Sequence, residues 1–188
     1  MIRLLHASIH RPRGLTLLTV ALLLCSSAAA AHAQSSADES GIRAAMLLNI
    51  SRFIDWPAWK MGPDHPQFVV CILGSDPIAP YADHLLEHQS IATKQTAVKH
   101  VSATDNLSNC HLLYTSLADR KVLARMQPEL NKNAVLTVSE RSNTLSTDQI
   151  VGLPAVEDHV HIEINLNLAQ RSSLQISSRL LRLATVTP

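Results

Sequence analysis

The histidines are the first side chains whose spacing suggests chemistry. His84 and His88 stand four apart in a segment that reads as a helix, and His159 and His161 alternate in one that reads as a strand. Either pair offers two imidazoles on one face, the beginning of a metal site if further ligands converge. The simpler reading is solvated polar residues on exposed faces. Glu163 follows on the same strand face, and would serve as a general base only opposite a proton donor, for which the sequence offers no partner. The segment "ILGSDP", residues 72–77, places a glycine and a helix start after a strand, where anions often bind. Every strand-to-helix turn needs similar residues, so that signal is weak. No G-x-S-x-G elbow, P-loop or H-E-x-x-H motif occurs. The chain reads as a non-enzyme, with no cofactor or metal implied.

Cysteine and tryptophan carry the other candidate functions. Cys71 and Cys110 are 39 positions apart, not in the C-x-x-C spacing of thiol exchange. In an oxidising compartment such a pair is most simply a disulfide, closing a loop worth about 4 kcal/mol by chain entropy. Two buried free thiols, or a redox-responsive pair, are the alternatives. The stretch "RFIDWPAW", residues 52–59, holds both tryptophans of a chain with only two Trp, two Tyr and two Phe. Trp56 is expected to pack under the preceding helix. Trp59 is the candidate partner-binding residue, since exposed tryptophan is enriched at interface hot spots.

The compartment follows from the leader. Arg3, Arg11 and Arg13 precede an apolar run from Leu15 to Leu24, and a small-residue stretch ends in Ala31-His32-Ala33. This is the pattern of a secretory signal peptide, residues 1–33, cleaved after Ala33. Its apolar run is shorter than the roughly 20 residues a permanent span needs. Cys25 follows "LLL" as in a lipoprotein, but Leu24 is bulky where a small residue is needed. The mature chain, 34–188, keeps 13 Lys and Arg against 15 Asp and Glu, a net charge of −2. No basic run survives to engage nucleic acid, and nothing after residue 33 is apolar enough to insert into a membrane.

These residues need a scaffold. After a flexible start over 34–40, Ser40 is placed to cap a helix over 41–55, with Ile42, Met46, Ile50 and Phe53 as its buried face and Leu47 and Ile54 beside them. Pro57 stops it. "FVVCILG" (68–74) reads as a strand buried on both faces. A helix over 77–87 follows, with Asp76 as its cap and Pro77 in its first turn. Strands are expected over 96–101, 111–116 and 134–139, and a helix over 118–126. Residues 159–165 alternate His159, His161 and Glu163 with Val160, Ile162 and Ile164, as an edge strand with one exposed face would. Helices broken near Gln175 close the chain. The alternation specifies a single α/β domain over 41–188, with a mostly parallel sheet, flanking helices and C-terminal helices.

Taken in order, "RAAMLLNISRFIDWP", "FVVCILGSDP", a cysteine before "LLYTS", "AVLTVS" and "IEINLNLAQRSSLQISSRLLRLA" resemble the YfiR family of exported bacterial proteins. The likeness covers residues 41–185. It implies regulation by binding: family members of known function sequester the periplasmic domain of an inner-membrane diguanylate cyclase, lowering cyclic di-GMP and biofilm formation. It also implies a compact α/β fold able to form a homodimer, with Cys71 and Cys110 matching the family's stabilising disulfide. Phe53, Trp56, Pro57, Glu163, Asn165, Ser178 and Leu181 match its recurrent positions. One departure is Asp148-Gln149, where the family carries Gly-Gly, so a left-handed backbone is not expected there. The main competing function is a periplasmic small-molecule binder feeding a sensor kinase, with its pocket at the strand C-terminal ends; an enzyme, with a pocket joining Glu163 to a histidine, comes third.

Overall fold

In β2 (Phe68–Leu73) all six residues are buried, and alternate residues face opposite sides. Phe68, Val70 and Ile72 join one hydrophobic cluster, whereas Val69, Cys71 and Leu73 join another. A strand buried on both faces needs neighbours at both edges and helices above and below, and it has them. The computed structural model describes residues 39–115, 120–142, 148–157 and 159–187. The expected signal peptide, Cys25, most of the 34–40 start and the start of the 118–126 helix lie outside them.

On one side β2 pairs in parallel with β4 (Lys94–Val101), which carries a short antiparallel edge, β3 (Ser90–Ile91). On the other side lie β5 (Leu112–Thr115), β6 (Leu136–Ser139) and β7 (Val151–Gly152), each parallel to the last. The sheet then turns antiparallel with β10 (Glu163–Asn165), and β12 (Thr185–Thr187) lies parallel to β10 at the far edge. The order is β12-β10-β7-β6-β5-β2-β4-β3. Two small pairs stand apart, β1 (Ile54–Asp55) with β11 (Gln175–Ile176) and β8 (Ala155–Val156) with β9 (His159–Val160). Helix α1 (39–51), α2 (Ala79–Leu86), α4 (Leu166–Arg171) and α5 (Ser178–Leu181) supply Leu47, Leu86, Leu168 and Leu180 to the Phe68 cluster. Helix α3 (Arg120–Lys132) covers the opposite face, with Leu123 and Leu130 beside Cys71 and Cys110. The expected α/β fold with a mostly parallel sheet is the fold observed.

Several boundaries differ from the sequence reading, each for a physical reason. The first helix ends at Ser51, and its buried stripe is Ser40, Arg43, Ala44, Leu47 and Ile50, whereas Ile42 is 49% exposed. Ile54 is buried not as a helical residue but as a rung of β1 against Ile176. Ser40 lies inside α1 instead of capping it. α3 runs on past Met126 because Pro128 lies on its exposed side, as does Ala124, whose carbonyl loses its helical partner to the ring. The expected strand over 159–165 divides: His159–Val160 belongs to a hairpin, and only Glu163–Asn165 enters the main sheet, one place in from the edge strand β12. Near Gln175 the expected break is β11 itself.

Left-handed backbone is carried mostly by residues other than glycine. The two-residue turn joining β3 to β4 holds Ala92 at φ 46° and Thr93 at φ 72°. Such hairpins favour Asn-Gly, because both central residues need positive φ and a β-branched side chain resists it. We expect Ala92→Asn with Thr93→Gly to raise unfolding free energy by about 1–2 kcal/mol, read from urea midpoints at constant slope. An unchanged midpoint would mean that the Thr93 hydroxyl, which donates to the Ala92 carbonyl, offsets the strain.

Candidate docking site at the tryptophan turn

Between β1 and β2 the chain makes one helical turn, with the amides of Lys60 and Met61 donating to the Pro57 carbonyl at 2.9 and 3.3 Å. Proline cannot extend the preceding strand, so the turn starts where Pro57 stands. Trp56 and Lys60, four apart, face inward; Trp59 faces solvent and is 54% exposed. The Trp56 ring meets Phe68 edge-on at 5.0 Å between centroids, and its Nε1–H donates to the His111 carbonyl at 3.3 Å. The Lys60 ammonium reaches the Ser108 carbonyl at 2.5 Å. Lys94 holds the rest of the connection, its Nζ donating to the carbonyls of Gly62 at 3.1 Å and His65 at 2.5 Å.

His111 joins these parts. It is fully buried and stacks on Phe68 at 4.7 Å. Its Nδ1 accepts from the Val69 amide at 3.1 Å, so the ring proton sits on Nε2, which donates to the Lys60 carbonyl at 3.2 Å. The first contact requires the neutral ring, since a protonated Nδ1 cannot accept; the second survives protonation. Burial, then the Lys60 charge, lowers the His111 pKa to about 4. Burial also lowers Lys60 to about 8, which leaves it mostly charged at neutral pH. Neither residue was singled out from sequence. His111 opens an apolar strand 51 positions from Lys60, and nothing local signals that they meet.

The disulfide braces the same place. Cys71 and Cys110 are bridged with Cα atoms 5.9 Å apart. This fixes the residue before His111 to the middle of β2 and leaves neither alternative, free thiols nor an open pair, in this structure.

The other singled-out residues are dispersed. Phe53 and Leu181 are half-buried against the Phe68 cluster. Pro57 supplies the carbonyl that closes the turn. Glu163 accepts from the Ser142 hydroxyl at 2.7 and 3.0 Å. Asn165 caps α4, its Oδ1 accepting from the Leu168 amide at 2.8 Å. Ser178 is the exposed first residue of α5, while the capping hydroxyl is Ser177. Asp76 Oδ1 accepts from the Ile78 amide at 2.9 Å, one turn before α2. His84 and His88 do not share a helix face, because α2 ends at Leu86 and His88 takes φ 67°. His159 and His161 are exposed on either side of the end of β9. Among the described residues, no group of three or more His, Cys, Asp or Glu is arranged to hold a metal. Gln149 does not take a left-handed backbone; it is fully buried and its Nε2 donates to the Arg141 carbonyl at 3.0 Å. A cavity of about 300 Å³ lies between α3 and the loop before β5, lined by Leu107, Ser108, Arg125, Met126, Glu129 and Leu130 among others.

A sequence model described as YfiR/HmsC-like matches residues 40–185. No curated protein matches the chain.

Proposed function

We infer the function from one premise: the chain belongs to the YfiR/HmsC-like family. The protein is proposed to be an exported regulator, not an enzyme, that binds the periplasmic domain of an inner-membrane diguanylate cyclase and represses it. Cyclic di-GMP signalling and biofilm formation fall as a result. The match over residues 40–185 carries this reading. Two features of the structure support it. Trp59 is a large apolar ring 54% exposed on a turn braced from beneath, which suits an anchor that loses little entropy on docking. The Cys71–Cys110 bridge is at home in an oxidising compartment, in keeping with cleavage of residues 1–33 during export. Among the described residues, no helix is long and apolar enough to cross a membrane.

Repression requires tighter binding to the inactive than to the active form of the cyclase, because only that difference shifts the equilibrium. Residues 34–188, expressed in the periplasm beside the cognate cyclase's periplasmic domain, should co-purify with it under oxidising conditions. Cyclic di-GMP should fall in cells carrying the full-length cyclase. The cavity beside α3 favours the second reading, a small-molecule binder feeding a sensor kinase. Failure to co-purify, with a metabolite retained in native mass spectrometry, would replace the first reading by the second.

A further inference from the structure

We propose that His111 is an acid-operated latch on the tryptophan turn: protonation of its ring breaks the ring's bond to Val69, one end of the bridge by which it holds residues 56–61 against β2, and drives the buried cation outward with the Lys60 end of the turn. Neutral His111 makes two bonds of opposite sense, accepting from the Val69 amide of β2 and donating to the Lys60 carbonyl of the turn. Its own carbonyl holds the Trp56 indole. A proton on Nδ1 sets two donors face to face and leaves a cation in a fully buried place. Only the Lys60 carbonyl on Nε2 favours the charged ring, and it is outweighed by burial and by the cations around it. The groups acting on the ring are Lys60 and His65 from the turn and its extension, and Lys94 from β4. Lys60 and Lys94 are cations, and His65, whose ring centroid is 5.6 Å away, becomes one in acid. The acid of this segment, Asp64, acts on His65.

The sign follows from linkage. The closed form holds the imidazole near pKa 4 and the open form returns it to the ordinary 6.5. The open form therefore binds more protons in that window, and closure weakens as pH falls through it. The open population should rise by about 80-fold between pH 6.5 and pH 4, towards a ceiling of about 300-fold relative to alkaline pH that is approached only below pH 4. The response suits a compartment whose acidity follows the surroundings. If Trp59 is the partner anchor, which rests on the function proposed above, acid would weaken docking by undoing its support.

The test uses the chain alone, so it does not depend on any partner. Trp59→Phe leaves Trp56 as the only indole, and its emission is followed from pH 7.5 to 3.5 beside far-ultraviolet circular dichroism and the exchange protection of the Val69 amide. The expected result is a red shift and a fall in Val69 protection as pH drops below 6.5, while helix and sheet signals hold. His65→Gln should keep the transition. His111→Asn, which cannot titrate, should abolish it. Should that variant not fold, nitrogen chemical shifts of the His111 ring decide the matter, since the ring must gain its proton in step with the red shift. A ring still neutral when Trp56 is released would overturn the latch. So would Trp56 release coinciding with global unfolding, or persisting in His111→Asn.

Discussion

Replacing Cys71 and Cys110 together by alanine should lower the melting temperature of the oxidised chain by about 8–16 °C. The bridge closes a loop across 39 positions, which the chain-entropy relation values at about 4 kcal/mol. A domain of this size shifts by about 2–4 °C per kcal/mol. Both cysteines are buried among Leu73, Leu113, Leu123 and Leu130, so lost packing adds to lost cross-linking. Reducing the native bridge should reproduce most of the drop without the cavity term. The effect should extend to the tryptophan turn, because Cys110 fixes the backbone of His111, on which the Trp56 indole and the Val69 amide depend. On the function proposed, docking to the cyclase domain should then weaken together with stability. A melting temperature unchanged within 2 °C or so would show that sheet pairing from β2 to β5 already fixes that backbone.

The two tryptophans should separate stability from binding. Trp56→Ala should cost about 3 kcal/mol, the lower end for an aromatic truncation, because the ring is half-buried. It removes an edge-on contact with Phe68 and one of the two hydrogen bonds to the His111 carbonyl, which keeps the Leu136 amide at 2.9 Å. Trp59→Ala should change stability by about 0.5 kcal/mol or less, as surface substitutions do. If the turn is the docking site, the same change should weaken the partner's affinity by roughly 30-fold, the 2 kcal/mol of a hot spot. Urea unfolding and titration calorimetry of both variants check the pair. A stable, fully binding Trp59→Ala protein would move the docking surface elsewhere.

Much of the scaffold was legible from local pattern. The unbroken apolar run of residues 68–73 can satisfy its side chains only between two layers, so it had to be a central strand. The alternation of such runs with helical stretches fixed the α/β class. The pairing of Cys71 with Cys110 was readable because cysteine is scarce in the chain. Boundaries were less legible where one side-chain pattern serves two backbones. Ile50 and Ile54 are four apart in a helix-like stripe, yet Ile54 is buried by pairing with Ile176, more than a hundred positions away. A helical period cannot report that partner. The division of residues 159–165 has the same origin, since two different neighbours, β8 and β7, claim its two halves.

The sequence by itself determined the α/β class, the two-faced central strand and the disulfide partners. Each of these depends on residue type and short-range spacing. Only the tertiary structure decided which side chains meet. It set Lys60, Trp56 and His111 around one ring stacked on Phe68, left Trp59 outside, and separated His84 from His88. Contacts between residues 42 to 55 positions apart are fixed by sheet order and packing, and a buried histidine reads in sequence like any other residue at the start of a strand. The lowering of its pKa to about 4, and its bond to the Lys60 carbonyl, exist only once the sheet has closed around it.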